Sequence, residues 1–117
     1  PDYLLLSIKT LAENSVRFLK ERTHYAYSLG ACRNLENEYK LPCMKGLADG
    51  YVQFGPPGEE YADGLAFCAS SLLTSGEKRA CYESVLAYAA YLYSREKFIA
   101  VCAKTEEPYR EICSTIR

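Results

Sequence analysis

The placement of six cysteines constrains this chain more than any other feature. They stand at Cys32, Cys43, Cys68, Cys81, Cys102 and Cys113. An even number in a small chain points to disulfides and an oxidising compartment. The competing reading is six reduced thiols packed as small hydrophobes. Regular spacing favours disulfides. HYAYSLGAC (His24 to Cys32) overlays EYADGLAFC (Glu60 to Cys68), with Tyr25 on Tyr61, Leu29 on Leu65 and Cys32 on Cys68. FIAVC (Phe98 to Cys102) falls on GLAFC about 34 residues later, and CMKGL (Cys43 to Leu47) falls on CYESV (Cys81 to Val85). Periods of roughly 34–36 residues mark helical-hairpin repeats.

Each unit reads as a helix ending in cysteine, a polar turn, and a helix opening on cysteine. In an antiparallel helix pair the end of the first helix lies beside the start of the second. A disulfide needs Cα atoms about 4.4–6.8 Å apart, and these are the positions that meet it. The expected pairing is therefore Cys32–Cys43, Cys68–Cys81 and Cys102–Cys113. Each bridge closes a loop of about a dozen residues, worth about 3 kcal/mol in the chain-entropy treatment.

No segment shows the two-residue alternation of a strand, so the chain reads as all-α. A first helix is expected over 3–19, where Leu4, Ile8, Leu11, Ala12, Ser15, Phe18 and Leu19 recur at threes and fours. Thr23 is a candidate cap for a second helix from His24 to about Leu35. NLENE makes a polar turn, and Pro42 suits the first position of a third helix running to Phe54. FGPPG (Phe54 to Gly58) is the clearest break. A fourth helix is expected from Pro57 to about Leu73, and TSGE (Thr74 to Glu77) then turns into a fifth. SRE joins that helix to a sixth ending near Lys104, and Pro108 starts a short last one. The repeats span about 24–54, 59–93 and 95–116 of one domain covering 1–117. The stretch KRACYESVLAYAAYLY (Lys78 to Tyr93) is nearly continuous in apolar residues, which predicts a central helix buried from several sides.

The cysteine-bounded units have a family likeness. CMKGLADGY (Cys43 to Tyr51) is similar to the second helix of the cysteine-rich Sel1-like repeats, which are relatives of the tetratricopeptide repeat. YADGLAFC is similar to the first helix of that repeat. The resemblance covers Tyr25 to Ile116. It implies a short α-solenoid of antiparallel hairpins, a secreted or periplasmic home, and a role in binding proteins or peptides. It brings no catalytic residues.

Charge and composition narrow the function classes. A formal net charge of -1 and a pI near 5.9 disfavour a nucleic-acid binder. No apolar run reaches the ~20 residues of a membrane span. YLLLSI (Tyr3 to Ile8) is too short and lacks a basic flank, so it is not a signal peptide. The chain opens on Pro1 rather than Met, as expected of a processed chain or an excised domain. His24 has only Glu21 nearby in sequence, and a surface helix-start histidine explains it. Glu59, Glu60 and Asp63 suit the positive end of a helix dipole, as do Glu106 and Glu107. FGPPG lacks a phosphate-loop lysine. These features give no catalytic constellation, no metal site and no cofactor, and the chain reads as a non-enzyme.

Eleven tyrosines remain to be explained. Tyr51, Tyr61, Tyr88 and Tyr91 are candidates for a concave partner-binding face, because tyrosine supplies rigid amphipathic contact area. The competing role is core packing. The sequence thus points to a binding module for an unidentified protein or peptide, in a secreted or periplasmic protein. The alternative is a small hydrophobic ligand carrier with a cavity between disulfide-stapled helices. Reduction of the native protein should add six hydrogens to its intact mass; six free thiols in protein from its native source would contradict the disulfides and the oxidising compartment together.

Overall fold

A computed structural model describes residues 2–15 and 25–116. These residues form seven α-helices and no strand: α1 (Asp2–Ser15), α2 (Tyr25–Arg33), α3 (Asn37–Gln53), α4 (Glu60–Cys68), α5 (Ser75–Leu92), α6 (Arg95–Ala103) and α7 (Ile112–Ile116). A 3-10 turn, Tyr109–Glu111, leads into α7. The expectations placed on Phe18, Leu19, Thr23 and His24 lie outside the described residues.

Three disulfides join Cys32 to Cys43, Cys68 to Cys81 and Cys102 to Cys113, with Cα atoms 5.5, 5.5 and 6.3 Å apart. This is the sequential pairing that the spacing predicts. The bridges link α2 to α3, α4 to α5 and α6 to α7. The first two are buried, whereas Cys102 and Cys113 are half-buried.

The helix termini show how local sequence sets the boundaries. Thr74 caps α5: its hydroxyl accepts from the Glu77 amide at 3.2 Å, and the Glu77 carboxylate accepts from the Thr74 amide at 2.9 Å. TSGE is thus a capping box that belongs to the helix, not a turn ahead of it. Ser94 caps α6 by its hydroxyl alone, which accepts from the Lys97 amide. Helix α4 stops at Cys68, before the expected Leu73. Beyond it the Ser70 hydroxyl accepts from the Leu72 amide, a local bond that competes with continued helix. Helix α3 begins at Asn37, so Pro42 lies inside it and not at its first position. The bond that Pro42 cannot make would go to the Glu38 carbonyl in the exposed first turn, where water can reach it.

The central helix is α3, not α5. Helix α3 packs against α1, α2, α4 and α5. Gly46 through Val52 is an unbroken buried run. Helix α5 buries one stripe, Cys81, Tyr82, Val85, Leu86 and Ala89, while Ala87, Tyr91 and Leu92 face solvent. The difference lies in side-chain size. Gly46 gives α3 a surface that α1 approaches closely. The long apolar run of α5 instead exceeds what its neighbours cover. A Cβ built on Gly46 would lie 2.9 Å from Ala12 Cβ and closer still to the Lys9 carbonyl, so α1 rests on the bare backbone of α3. Gly64 of α4 makes a similar close approach, with a Cβ there meeting Val52 at 2.7 Å.

Polar bonds tie the helix ends together. The Arg33 guanidinium donates to both oxygens of Glu77, at 2.9 and 2.6 Å, and to the Leu72 carbonyl, fastening the end of α2 to the start of α5. Tyr82 donates to Glu106 at 2.9 Å, and Lys78 donates to the same carboxylate at 2.8 Å. Leu86 is fully buried. Leu86→Ala should cost about 2–5 kcal/mol in chemical denaturation, the range for buried large-to-small changes. Tyr91→Ala on the outer face of the same helix should stay within about 0.5 kcal/mol. Equal effects of the two would contradict the one-sided burial of α5.

Candidate functional site

The four candidate tyrosines do not form one face. Tyr51 is 3% exposed and packs in the core, its ring 5.4 Å from Tyr25 and 4.7 Å from Phe67. Burial pushes its hydroxyl up to about 12, helped by Tyr25. Tyr61 is buried too, edge-on to Tyr93 at 6.0 Å, and its hydroxyl accepts from Lys104 at 2.8 Å. The Tyr93 hydroxyl donates to Glu60 at 2.8 Å and accepts from the Tyr61 amide at 3.1 Å. Neither Tyr51 nor Tyr61 presents a ring to a surface partner. Both lie on helix faces that turn inward, toward neighbouring helices.

Tyr88 and Tyr91 do come together, on the outer side of α5. With Lys9, Asp49, Ser84 and Ala87 they border a shallow depression of about 330 Å³. Tyr91 is 86% exposed, whereas Tyr88 is half-buried. Burial, then the charges of Glu13 and Asp49, pushes the Tyr88 hydroxyl up. Asp49 is a buried carboxylate in this wall. Burial raises it, and Lys9, at 3.2 Å, opposes that rise. Among the described residues no three His, Cys, Asp or Glu side chains converge in the manner of a metal site. Glu60 is held low by its own backbone amide and by Tyr93. Glu60 and Glu106 are thus both engaged in structural bonds.

A second concavity is more apolar. Ile8 and Leu11 of α1 face Tyr27 and Ala31 of α2 across Leu47 of α3, enclosing a groove of about 300 Å³. The Cys32–Cys43 bridge borders it as well. Leu11 is 70% exposed and Tyr27 is 73% exposed, so the rims carry bare apolar surface. Among the described residues no charged side chain lines the groove. Ser28 borders it, with its hydroxyl oxygen buried. That hydroxyl lies near the Tyr51 hydroxyl, yet neither makes a hydrogen bond of ordinary geometry.

The sequence carried one sign of this groove. YLLLSIKTLA places apolar residues at Leu4, Leu5, Leu6, Ile8 and Leu11, more than one buried stripe of a helix can use. The surplus shows as exposed Leu4, Leu6 and Leu11. The partnership with Tyr27 depends on how α1 and α2 sit on α3, which no local pattern encodes. Among the described residues no helix is long and apolar enough to cross a membrane. Comparison with family models, with curated proteins and with solved structures gave no match.

Proposed function

We propose that this chain is a helical binding module that works in an oxidising compartment, secreted or periplasmic, and holds an apolar segment of a partner protein or peptide in the α1–α2 groove. The observation that carries this reading is the exposed apolar surface of Leu11 and Tyr27 beside a groove whose described lining carries no charge. Exposed apolar surface gathered at one place marks an interaction site more often than chance exposure. Three disulfides favour the oxidising compartment, since such bridges are rare where cytosolic reductants act. The same units, read as disulfide-tied hairpins stacked in a short solenoid, suit the Sel1-like layout and its role in holding other proteins. The tyrosine contribution to binding rests on Tyr27, with Tyr88 and Tyr91 at a separate surface.

A second reading has its own support. The groove volume lies near the lower end of small-ligand sites, about 300 Å³, and its described lining is almost wholly apolar. A small hydrophobic molecule would suit it.

The two readings separate in one experiment. The folded domain and its Leu11→Ser/Tyr27→Ser variant serve as baits against the native source, with N-phenyl-1-naphthylamine, a neutral apolar dye, as competitor. Both sites are exposed, so the variant should melt within about 0.5 kcal/mol of the parent. A protein or peptide lost with the variant and displaced by the dye supports the module. An apolar small molecule co-purifying instead supports the carrier, and a partner held equally by both baits removes the groove from either account.

A further inference from the structure

The three disulfides are not equally protected. The four cysteines of the first two bridges are at most 7% exposed and belong to the core. Cys102 and Cys113 are half-buried. A concavity of about 220 Å³ lies beside this third bridge, lined by Arg95, Phe98, Ile99 and Ser114 together with both cysteines. Helix periodicity builds the lining. Arg95, Phe98, Ile99 and Cys102 recur at threes and fours along one face of α6. Arg95 and Ile99 are exposed, so that face reaches solvent. The Cys32–Cys43 bridge also borders a groove, but its cysteines are among the buried four.

Helix α7 is the element this bridge holds. It has five residues, too few to stay helical alone. Ile112 is its buried residue, whereas Ser114 and Thr115 are exposed. The segment before it has other fastenings: Tyr109 stacks on Tyr82 with ring centroids 5.1 Å apart, and Arg79 donates to Glu111 at 3.0 Å. We propose that Cys102–Cys113 is a thiol-exchange site, opened by a dithiol reductant while the rest of the protein stays folded, and that opening it releases α7 beyond Ile112. A thiolate of the dithiol attacks one sulfur of the bridge, forming a mixed disulfide and expelling the other sulfur as a thiolate. The second thiol of the reductant, once deprotonated, attacks the mixed disulfide and frees the second cysteine. The dithiol leaves as a disulfide, oxidised by two electrons, and its two protons end on Cys102 and Cys113. Arg95 brings a positive charge to the rim, which favours the approach of an anionic thiolate. Exposed bridges are the labile class, whereas buried ones wait for the core to open. Among the described residues this site and the α1–α2 groove share no lining, so it stands independently of the binding reading.

Timed reduction of the intact, oxidised chain by dithiothreitol, without denaturant, tests the site. Aliquots are quenched in acid, alkylated with N-ethylmaleimide and mapped by peptide mass. Adducts on Cys102 and Cys113 should form at least about tenfold faster than any on the other four cysteines. Adducts that come first on another pair, or on all six together, would overturn the exchange site. In a folded Cys102→Ser/Cys113→Ser variant the fast phase should vanish. Labelling of its remaining cysteines at the parent's fast rate would also overturn the site, and the parent map decides alone if the variant does not fold. Amide hydrogen exchange on the selectively reduced parent then reads the release. Amides of Cys113 to Ile116 should lose at least about tenfold in protection while α5 keeps its own. Unchanged protection of α7 in that species would remove the release and leave an exchange site alone.

Discussion

The close approach of helices to the backbone of α3 is the interaction on which the rest of this structure depends. Gly46 has no side chain to spare for α1, since a Cβ there would collide with Ala12 and with the Lys9 carbonyl. The buried run that continues through Val52 meets α1, α2, α4 and α5 around one axis. Glycine inside a helix costs about 1 kcal/mol relative to alanine. The contact it permits offsets that cost through dispersion between closely packed atoms, each small and collectively large. Because four helices lean on α3, their mutual geometry, and with it the shape of the α1–α2 groove, follows from that one surface.

Disulfides complete what packing begins. A chain of 117 residues with helices of five and nine residues has little regular structure in each element to oppose its conformational entropy. Each bridge joins two successive helices and restricts the unfolded chain. Salt-linked carboxylates add a pH dependence. Arg33, assisted by the Thr74 amide, holds Glu77 below the usual carboxylate range. Burial pushes Glu106 up, but the bonds from Lys78 and Tyr82 prevail and hold it low. The stability these two give is present above the unfolded value and lost as the pH falls through the folded one. Acid thus weakens the α2–α5 and α5–Glu106 ties.

Much of the architecture is written in local sequence. Cysteine pairing was legible because helix ends and polar turns fix which sulfurs can meet. Helix type was legible from periodicity, and Thr74 to Glu77 carried a capping box that composition alone reads as a turn. The centre was not legible. An apolar run such as Ala80 to Tyr93 resembles a buried helix, yet burial depends on what neighbours can cover, and the small residues of α3 decided that. Tyr51 and Tyr61 show the same limit. Their repeat positions are visible in sequence, but the face each turns inward is set by helix packing. The groove was the least visible feature, because Leu11 and Tyr27 come from separate helices that meet only across α3.

The central claim is that the backbone of Gly46 seats α1. Gly46→Val tests it directly, with hydrogen exchange in α1 and α5 and the intact mass measured on the same sample. Valine there would have to displace α1, so protection of α1 should collapse while α5 stays protected and the three disulfides remain formed. Unchanged protection of α1 in a folded Gly46→Val protein would contradict the account.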